Sequence, residues 1–465
     1  MRILLTRPIA LPSSQGVASL NDNGLGLVAA ACQRDDVEVT LFSWDTKLTA
    51  NKFRQSLRRL RPAIVGVKVF TTWFREARAT LQIVRQELPD TITIIGGPHP
   101  STSRPEDLFL EFDGLIDLAV AGDAESAMAS LVPTLAGCRG LPPARDLAGI
   151  PGLVYRDKDR VNANRRCLDR HLDALPMLSW QTQDPERFRN RLLPDNPGNA
   201  AMVSDSRGCP SRCGHCMAWL INGGDVRKLS VSRLCAMLDE VVREHNVRVI
   251  EFSGNCFMAN TDYVREVCEW ILGTGVPIRW RCTGAEFLDS LGDPSLLRLM
   301  ARSGCSAVHF GVESGNAGIV AQLRKPFTLE QMSEVVNRTT QVGIDALGYF
   351  MFGFPSETLA QMHDTIEYAM SLPFAQRAFC ICLPLPGTSS YKAVLEEQRI
   401  DRIDWEHYDC ANPRLLPCLP SPRAVRRLLR RARELQMTPS QRWGSRLKHV
   451  RSRAGQMKNR LLCRM

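Results

Sequence analysis

The sequence predicts an α/β protein in three parts: a doubly wound, Rossmann-like parallel sheet, a partial barrel of six βα units, and a short basic helical segment at the end. Two runs in which β-rich apolar stretches alternate with helical patterns carry this reading, and a proline-rich interruption between them sets the boundary. In the first run residues 1–5, 37–43, 64–70, 91–96 and 118–121 read as strands, and the segments between have helical length and period. Strands joined by helices pair in parallel, and ligands of such sheets sit at the carboxyl ends of the strands. There the sequence places small and turn-forming residues: Thr71 and Thr72, then Gly96-Gly97-Pro98-His99-Pro100, then Gly122-Asp123.

Residues 138–200 scatter prolines, from Pro142 to Pro197, among charges, which predicts a connector with a short hairpin near residues 152–161. The alternation then resumes. Strands are predicted at 201–205, 248–253, 278–283, 307–312, 345–352 and 376–383, with helices at 232–244, 262–273, 294–303, 329–342 and 359–372. The predicted units are therefore 1–140, a linker 141–199, a barrel 200–390 with its site at the carboxyl ends of the strands, and a basic segment 391–465.

With 44% hydrophobic and 23% charged residues, the composition is that of a globular chain and argues against extended disorder. No apolar run approaches the ~18 residues needed to cross a bilayer, and the opening run is broken by Arg7 and Pro8, too early for a signal peptide. Sixteen cysteines without an export signal point to the cytoplasm, where thiolates persist as metal ligands or buried side chains. The net charge of +10 is unevenly spread: residues 421–465 hold fourteen Lys or Arg against Glu434 alone, +13, which leaves −3 on the first 420. Lacking interleaved aromatics, this tail does not predict nucleic-acid binding. Its apolar residues Val425, Leu428, Leu429, Ala432 and Leu435 recur at helical spacing, and residues 442–462 repeat the mixture, predicting helices that pack one face on the barrel or lie on an anionic membrane surface.

The chemistry is concentrated in Ser206-Arg207-Gly208-Cys209-Pro210-Ser211-Arg212-Cys213-Gly214-His215-Cys216. Three thiolates spaced Cys-x3-Cys-x2-Cys on one loop can take three corners of an iron–sulfur cubane, and Gly208, Pro210 and Gly214 let the backbone turn tightly. The fourth iron is then open to a ligand. The alternative is a zinc knot, which needs a fourth ligand; Cys380 and Cys382 form the candidate pair.

This triplet after a predicted strand resembles the cluster loop of the radical S-adenosylmethionine (SAM) superfamily, with His215 at the usual aromatic position. Further resemblances are His309-Phe310-Gly311-Val312-Glu313-Ser314-Gly315 at the fourth strand, Met351-Phe352-Gly353-Phe354-Pro355-Ser356-Glu357-Thr358 at the fifth, and Leu385-Pro386-Gly387-Thr388 after the sixth. One departure stands out: the family's Gly-Gly-Glu-like stretch at the second strand reads Ser253-Gly254-Asn255. The resemblance implies a 4Fe-4S cluster on Cys209, Cys213 and Cys216, SAM contacts from Ser253, Gly254, Asn255, Glu313 and Ser314, and an electron donor such as flavodoxin or ferredoxin. SAM bound to the open iron is then cleaved reductively to a 5′-deoxyadenosyl radical.

A doubly wound domain ahead of such a barrel resembles the cobalamin-dependent branch of the superfamily. The match rests on Asn23-Gly24-Leu25-Gly26-Leu27, on Gly96-Gly97-Pro98-His99-Pro100 and on Ala121-Gly122-Asp123-Ala124-Glu125. It implies cobalamin contacts at Thr71, Gly96, Gly97 and Gly122. There is no Asp-x-His-x-x-Gly stretch to supply a cobalt ligand, and His99, beside Pro100 in a turn, reads as structural. The function implied is methyl transfer from methylcobalamin to an unactivated carbon, with a radical rearrangement or oxidative cyclisation as the alternative. The substrate, a small molecule, a lipid or a carrier-bound group, and the catalytic residues acting on it are not identified by any motif.

Overall fold

The structure, a computed structural model, describes residues 1–9, 21–42, 50–136, 138, 140–178, 180, 188–189, 192–193, 196–283, 288–398, 403–407 and 421–436. The first sheet contains β1 (Arg2–Thr6), β2 (Glu38–Phe42), β3 (Ile64–Lys68), β4 (Ile92–Gly96), β5 (Leu118–Val120), β6 (Leu153–Asp157) and β7 (Arg160–Ala163). Its order is β2-β1-β3-β4-β5-β6-β7, parallel through β5 and antiparallel beyond it. The doubly wound class is as expected, and the order is the flavodoxin-like one, which reverses between β1 and β3. The hairpin predicted inside the linker is a correction: β6 and β7 extend the first sheet, because Leu153 to Tyr155 pair with β5 and bury their side chains.

Strand alternation explains why both faces of this sheet are covered. Leu4, Val65, Val67 and Ile95 pack on one side with Phe53, Leu57, Phe74 and Leu81 of helices Ala50–Leu60 and Phe74–Glu87. Ile3, Leu5, Ile64, Ile94 and Leu118 pack on the other with helices Asn23–Cys32 and Ala124–Ala136.

The second sheet contains six parallel strands: β8 (Asn199–Val203), then, past a short ribbon of β9 (Ser206–Arg207) and β10 (Arg227–Lys228), β11 (Val247–Phe252), β12 (Arg279–Cys282), β13 (Cys305–Glu313), β14 (Asp345–Phe352) and β15 (Gln376–Ile381). They follow in spatial order β15-β14-β13-β12-β11-β8, with β9 paired antiparallel to β10. This is the predicted partial barrel. Phe252, Trp280, Val308, Phe310, Phe350 and Phe352 are buried in the main apolar core, which runs on into one face of the first sheet. The helices start where the sequence supplies caps: Thr328 with Gln331 and Thr358 with Gln361 form capping boxes.

An open barrel leaves an edge strand whose backbone groups need partners. Helix Pro422–Leu435 covers β15: Arg433 donates to the Phe379 carbonyl (3.1 Å), and Gln436 accepts from the Arg377 N–H (3.2 Å). Val425, Leu428, Leu429 and Ala432 are buried, while Arg423, Arg427, Arg430, Arg431 and Arg433 are exposed. The basic helix therefore packs one face on the barrel, whereas residues 442–462 lie outside the described residues. Replacing Leu429 by Ala should destabilise the protein by about 2–5 kcal/mol, read as a lower melting temperature, whereas Arg430→Ala should change stability by no more than about 0.5 kcal/mol.

Candidate active site

The cysteine loop hangs from the β9–β10 ribbon. Gly208 has φ +89°, and a Cβ there would stand 1.9 Å from the Asp225 carbonyl oxygen, so only glycine lets the chain pass. Beyond it the loop is pinned by backbone bonds from Cys209 to the Gly223 carbonyl (3.1 Å), from Gly214 to the Leu323 carbonyl (3.2 Å) and from Ser390 to the Gly214 carbonyl (3.0 Å). Cys213 is buried; Cys209 and Cys216 are half-buried. Burial pushes the Cys216 thiol up to about 11 despite the Ala218 N–H on its sulfur (3.4 Å), and the neighbouring Cys213 and Cys209 add to the rise. Among the described residues no three Cys, His, Asp or Glu side chains form the shell of a single metal ion. A cubane binds its thiolates at separate irons, so this donor set and its tight backbone fit an iron–sulfur cluster better than a lone zinc.

The other motifs converge on this loop. His215 stands 3.7 Å from the Glu313 carboxylate and meets Phe354 edge-on at 5.7 Å. Burial disfavours the charge on Glu313, but Lys325 (3.1 Å) and His215 outweigh it and hold the carboxyl down at about 2. Glu313 also has φ +67°, an uncommon backbone state for a non-glycine residue. At the fifth strand Gly353 (φ +90°) and Phe354 donate to Glu357 at 2.6 and 3.1 Å. Burial of Glu357 outweighs these donors and raises its carboxyl to about 7.

The residues expected to contact SAM separate. Ser314 has its hydroxyl committed to Thr365 (3.0 Å) and to the Asn316 N–H (3.1 Å), and Glu313 is paired with Lys325. Ser253 and Asn255 instead face the first domain or its cleft: Asn23 donates to the Ser253 hydroxyl (3.5 Å), and Asn255 lines the cleft, where its side-chain amide oxygen accepts from the Asn222 side chain (3.3 Å). Between them a Cβ on Gly254 would lie 2.2 Å from an Asp205 carboxylate oxygen and 2.4 Å from the Ser206 hydroxyl oxygen. Asp205 is fully buried, and burial raises its carboxyl to about 6 against the pull of Lys228.

At the carboxyl ends of β1, β3, β4 and β5 a cleft of about 250 Å³ opens, walled by Gly24, Gly66, Gly96, Gly97 and Gly122 on one side and by Ser206, Arg207, Asn222 and Asn255 on the other. The nearest atom to a Cβ placed on Gly96 would be the Val120 carbonyl oxygen at 3.9 Å, so the missing side chain keeps that wall flat. Gly96, Gly97 and Gly122, the glycines expected to contact cobalamin, line this cleft. Thr71 does not: it is absent from the cleft wall and bonds His99 (3.0 Å), whose other ring nitrogen meets Glu111 (3.0 Å). His99 is fully buried and structural, and Trp405 from the C-terminal segment packs edge-on against it.

Sequence reasoning missed two polar networks. Arg207, two residues before Cys209, bonds Asp123 (2.9 Å) and Glu125 (2.5 Å), while Arg227 also bonds Asp123 (2.8 Å). The partners lie 82 to 104 residues apart in sequence, and no motif signals their pairing. The second network lies on β11 to β14: Arg281 is paired with Glu251, His309 stands 3.7 Å from Glu251, and Tyr349 bonds the other His309 ring nitrogen (2.9 Å).

An α/β enzyme with two adjoining cofactor stations is the class that this fold and site define. Residues 18–132 match the B12 binding domain and residues 203–369 the radical SAM superfamily. The chain is 27% identical over 416 residues to an uncharacterized methyltransferase of Pyrococcus horikoshii, covering 89% of this chain and 87% of that protein. Its fold resembles the cobalamin-dependent SAM radical enzyme OxsB (TM-score 0.70, 17% identity), with 87% of this chain and 63% of that one covered. It also resembles the radical SAM methyltransferase TsrM from Kitasatospora setae (TM-score 0.68, 18% identity), over 92% and 81% of the two chains. The chain is an enzyme that joins a B12 binding domain to a radical SAM domain, and its cofactors are a 4Fe-4S cluster, SAM and cobalamin. No helix among the described residues is long and apolar enough to cross a membrane.

The buried His309 supports a prediction on pH. Burial, then Arg281, lowers its imidazole from 6.5 to about 4. Between these values the unfolded chain binds the proton and the folded one does not, so the contribution is full above pH 6.5 and lost as pH falls toward 4. Urea unfolding at stepped pH should show His309→Gln flattening this window by up to about 1.4 kcal/mol per pH unit; identical slopes in both proteins would contradict it.

Proposed function

We propose that this protein is a cobalamin-dependent methyltransferase that places a methyl group on an unactivated carbon. One observation carries the reading: Asn255, on the turn after the second barrel strand, also lines the cleft of the first domain, so the two cofactor stations share a wall. When bound, the cluster with SAM supplies hydrogen-atom abstraction from carbon, and cobalamin supplies the methyl group.

The residues divide that work. Cys209, Cys213 and Cys216 hold the cluster, and His215, fixed by Glu313 and Phe354, keeps their loop in shape. Gly96, Gly97 and Gly122 let backbone approach the flat corrin. With no carboxylate at position 255, backbone carbonyls of Ser253 and Gly254 and the Asn255 side chain receive the SAM amino group. Glu313 and Ser314 act from behind, Glu313 through His215 and Ser314 through the turn to Asn316. The cobalamin unit comprises residues 1–140 together with the hairpin to Ala163, and the radical SAM core comprises 200–390.

The substrate is a small molecule, a lipid or a carrier-bound group, met in the cytoplasm with a flavodoxin or ferredoxin as donor. The exposed arginines of helix Pro422–Leu435 support peripheral contact with an anionic membrane. Full-length protein should then sediment with anionic vesicles at low salt, and removal of residues 421–465 should end this; equal sedimentation would refute the contact.

Anaerobic turnover with methyl-labelled SAM tests the central reading. Label should appear in a substrate carbon, whereas 5′-deoxyadenosine with an unlabelled, cyclised or rearranged product would establish the alternative. A Cys209→Ala, Cys213→Ala, Cys216→Ala variant should lose cluster iron and all 5′-deoxyadenosine release.

A further inference from the structure

The cleft wall and the root of the cysteine loop are built from the same residues. Asp123 and Glu125 follow β5 and line the cleft, as does Arg207, which binds both carboxylates. Only Gly208 separates Arg207 from Cys209, and the Asp225 backbone packed against it allows little adjustment. Arg227 lies opposite Arg207 in the β9–β10 ribbon and shares Asp123, which also accepts from the Asp169 N–H (2.9 Å). Two guanidiniums and two carboxylates thus meet in a buried set with no net charge, in which every side chain is at most 15% exposed. Moving the 121–125 loop away would leave two neighbouring cations out of water without counter-charge, a costly state.

We infer that Arg207 is a positioning residue that couples the two cofactor sites, so that an assembled cluster tightens cobalamin binding and bound cobalamin favours the cluster. A corrin seated in the cleft holds the 121–125 loop, that loop holds the Arg207 fork, and the fork sets the backbone entering Cys209. A cluster on the three cysteines orders the same chain from the other end. Such coupling is reciprocal, because each ligand spares the other part of the ordering cost. Arginine suits the role through its rigid planar fork, which spans both carboxylates; lysine offers one point charge. The domains keep other ties without it: Asn21 bonds both the carbonyl (2.9 Å) and the N–H (2.7 Å) of Met202, and Trp405 bonds Glu111 (2.9 Å). Loss of Arg207 therefore loosens the coupling without undocking the sheets.

The test is an anaerobic titration of full-length, cobalamin-free protein with hydroxocobalamin, followed by absorbance, with the cluster either reconstituted or removed. The cluster should tighten cobalamin binding by roughly 5- to 150-fold in the wild type, the usual range for coupled sites, and by less than about twofold in Arg207→Lys and Arg207→Met. Glu125→Gln, which leaves the arginine in place, should lower the ratio in the same direction. A wild-type ratio near one, or a ratio unchanged in the Arg207 variants, would overturn the inference. The inference rests on the cysteine assignment above, and the triple cysteine variant separates the two. Full iron content there would refute the assignment, whereas loss of iron with wild-type coupling in Arg207→Lys would refute the coupling alone.

Discussion

Two sheets meet in this protein, and the buried set of Arg207, Arg227, Asp123 and Glu125 is the constraint that ties the cleft of the first to the cysteine loop of the second. A charge removed from water is tolerated only where it is paired and bonded, so this set specifies one arrangement and penalises its neighbours strongly. It joins the carboxyl end of β5 to the ribbon that carries the cysteine loop, and the cleft of the first sheet consequently opens onto the barrel. The switch point between β1 and β3 places a ligand site at that edge in any sheet of this order; the ion set decides what the site faces.

Around the cysteine loop the constraints are steric. Gly208 is required by the Asp225 backbone, Gly254 by Asp205 and Ser206, and Gly353 by the left-handed turn that Glu357 clasps. Motifs from the fourth and fifth barrel strands reach the loop through His215, which sits between Glu313 and Phe354. Residues distant in sequence therefore act as one support, with backbone bonds from Leu323 and Ser390 closing it. Rigid surroundings of this kind hold reacting groups in register and keep water out, which radical chemistry requires.

The barrel is open, and its β15 edge is covered by a helix whose sequence allowed either packing on the barrel or lying on an anionic membrane surface. Val425, Leu428, Leu429 and Ala432 are spent on packing, and Arg433 and Gln436 satisfy the edge backbone of β15. Arg423, Arg427, Arg430 and Arg431 are exposed, so one helix completes the fold and presents a basic surface. On β11 to β14 Arg281 and Glu251 balance each other's charge, and burial, with Arg281 nearby, disfavours the charged form of His309.

The sequence by itself determined the two α/β units, all six barrel strands, the cysteine triplet and the glycine-rich cleft, because each depends on local periodicity, backbone freedom or close spacing. It also identified His99 as structural from its turn context. Tertiary structure decided the rest. The hairpin of β6 and β7 joined the first sheet because its partner β5 lies in another segment. Thr71 turned to His99, and Ser314 to Thr365, because buried hydroxyls take the nearest partner, and those partners are 28 and 51 residues away in sequence. The pairing of Arg207 with Asp123 and Glu125 is likewise invisible in a linear pattern, since electrostatic partners are chosen by position in space and common charged residues carry no mark of their match.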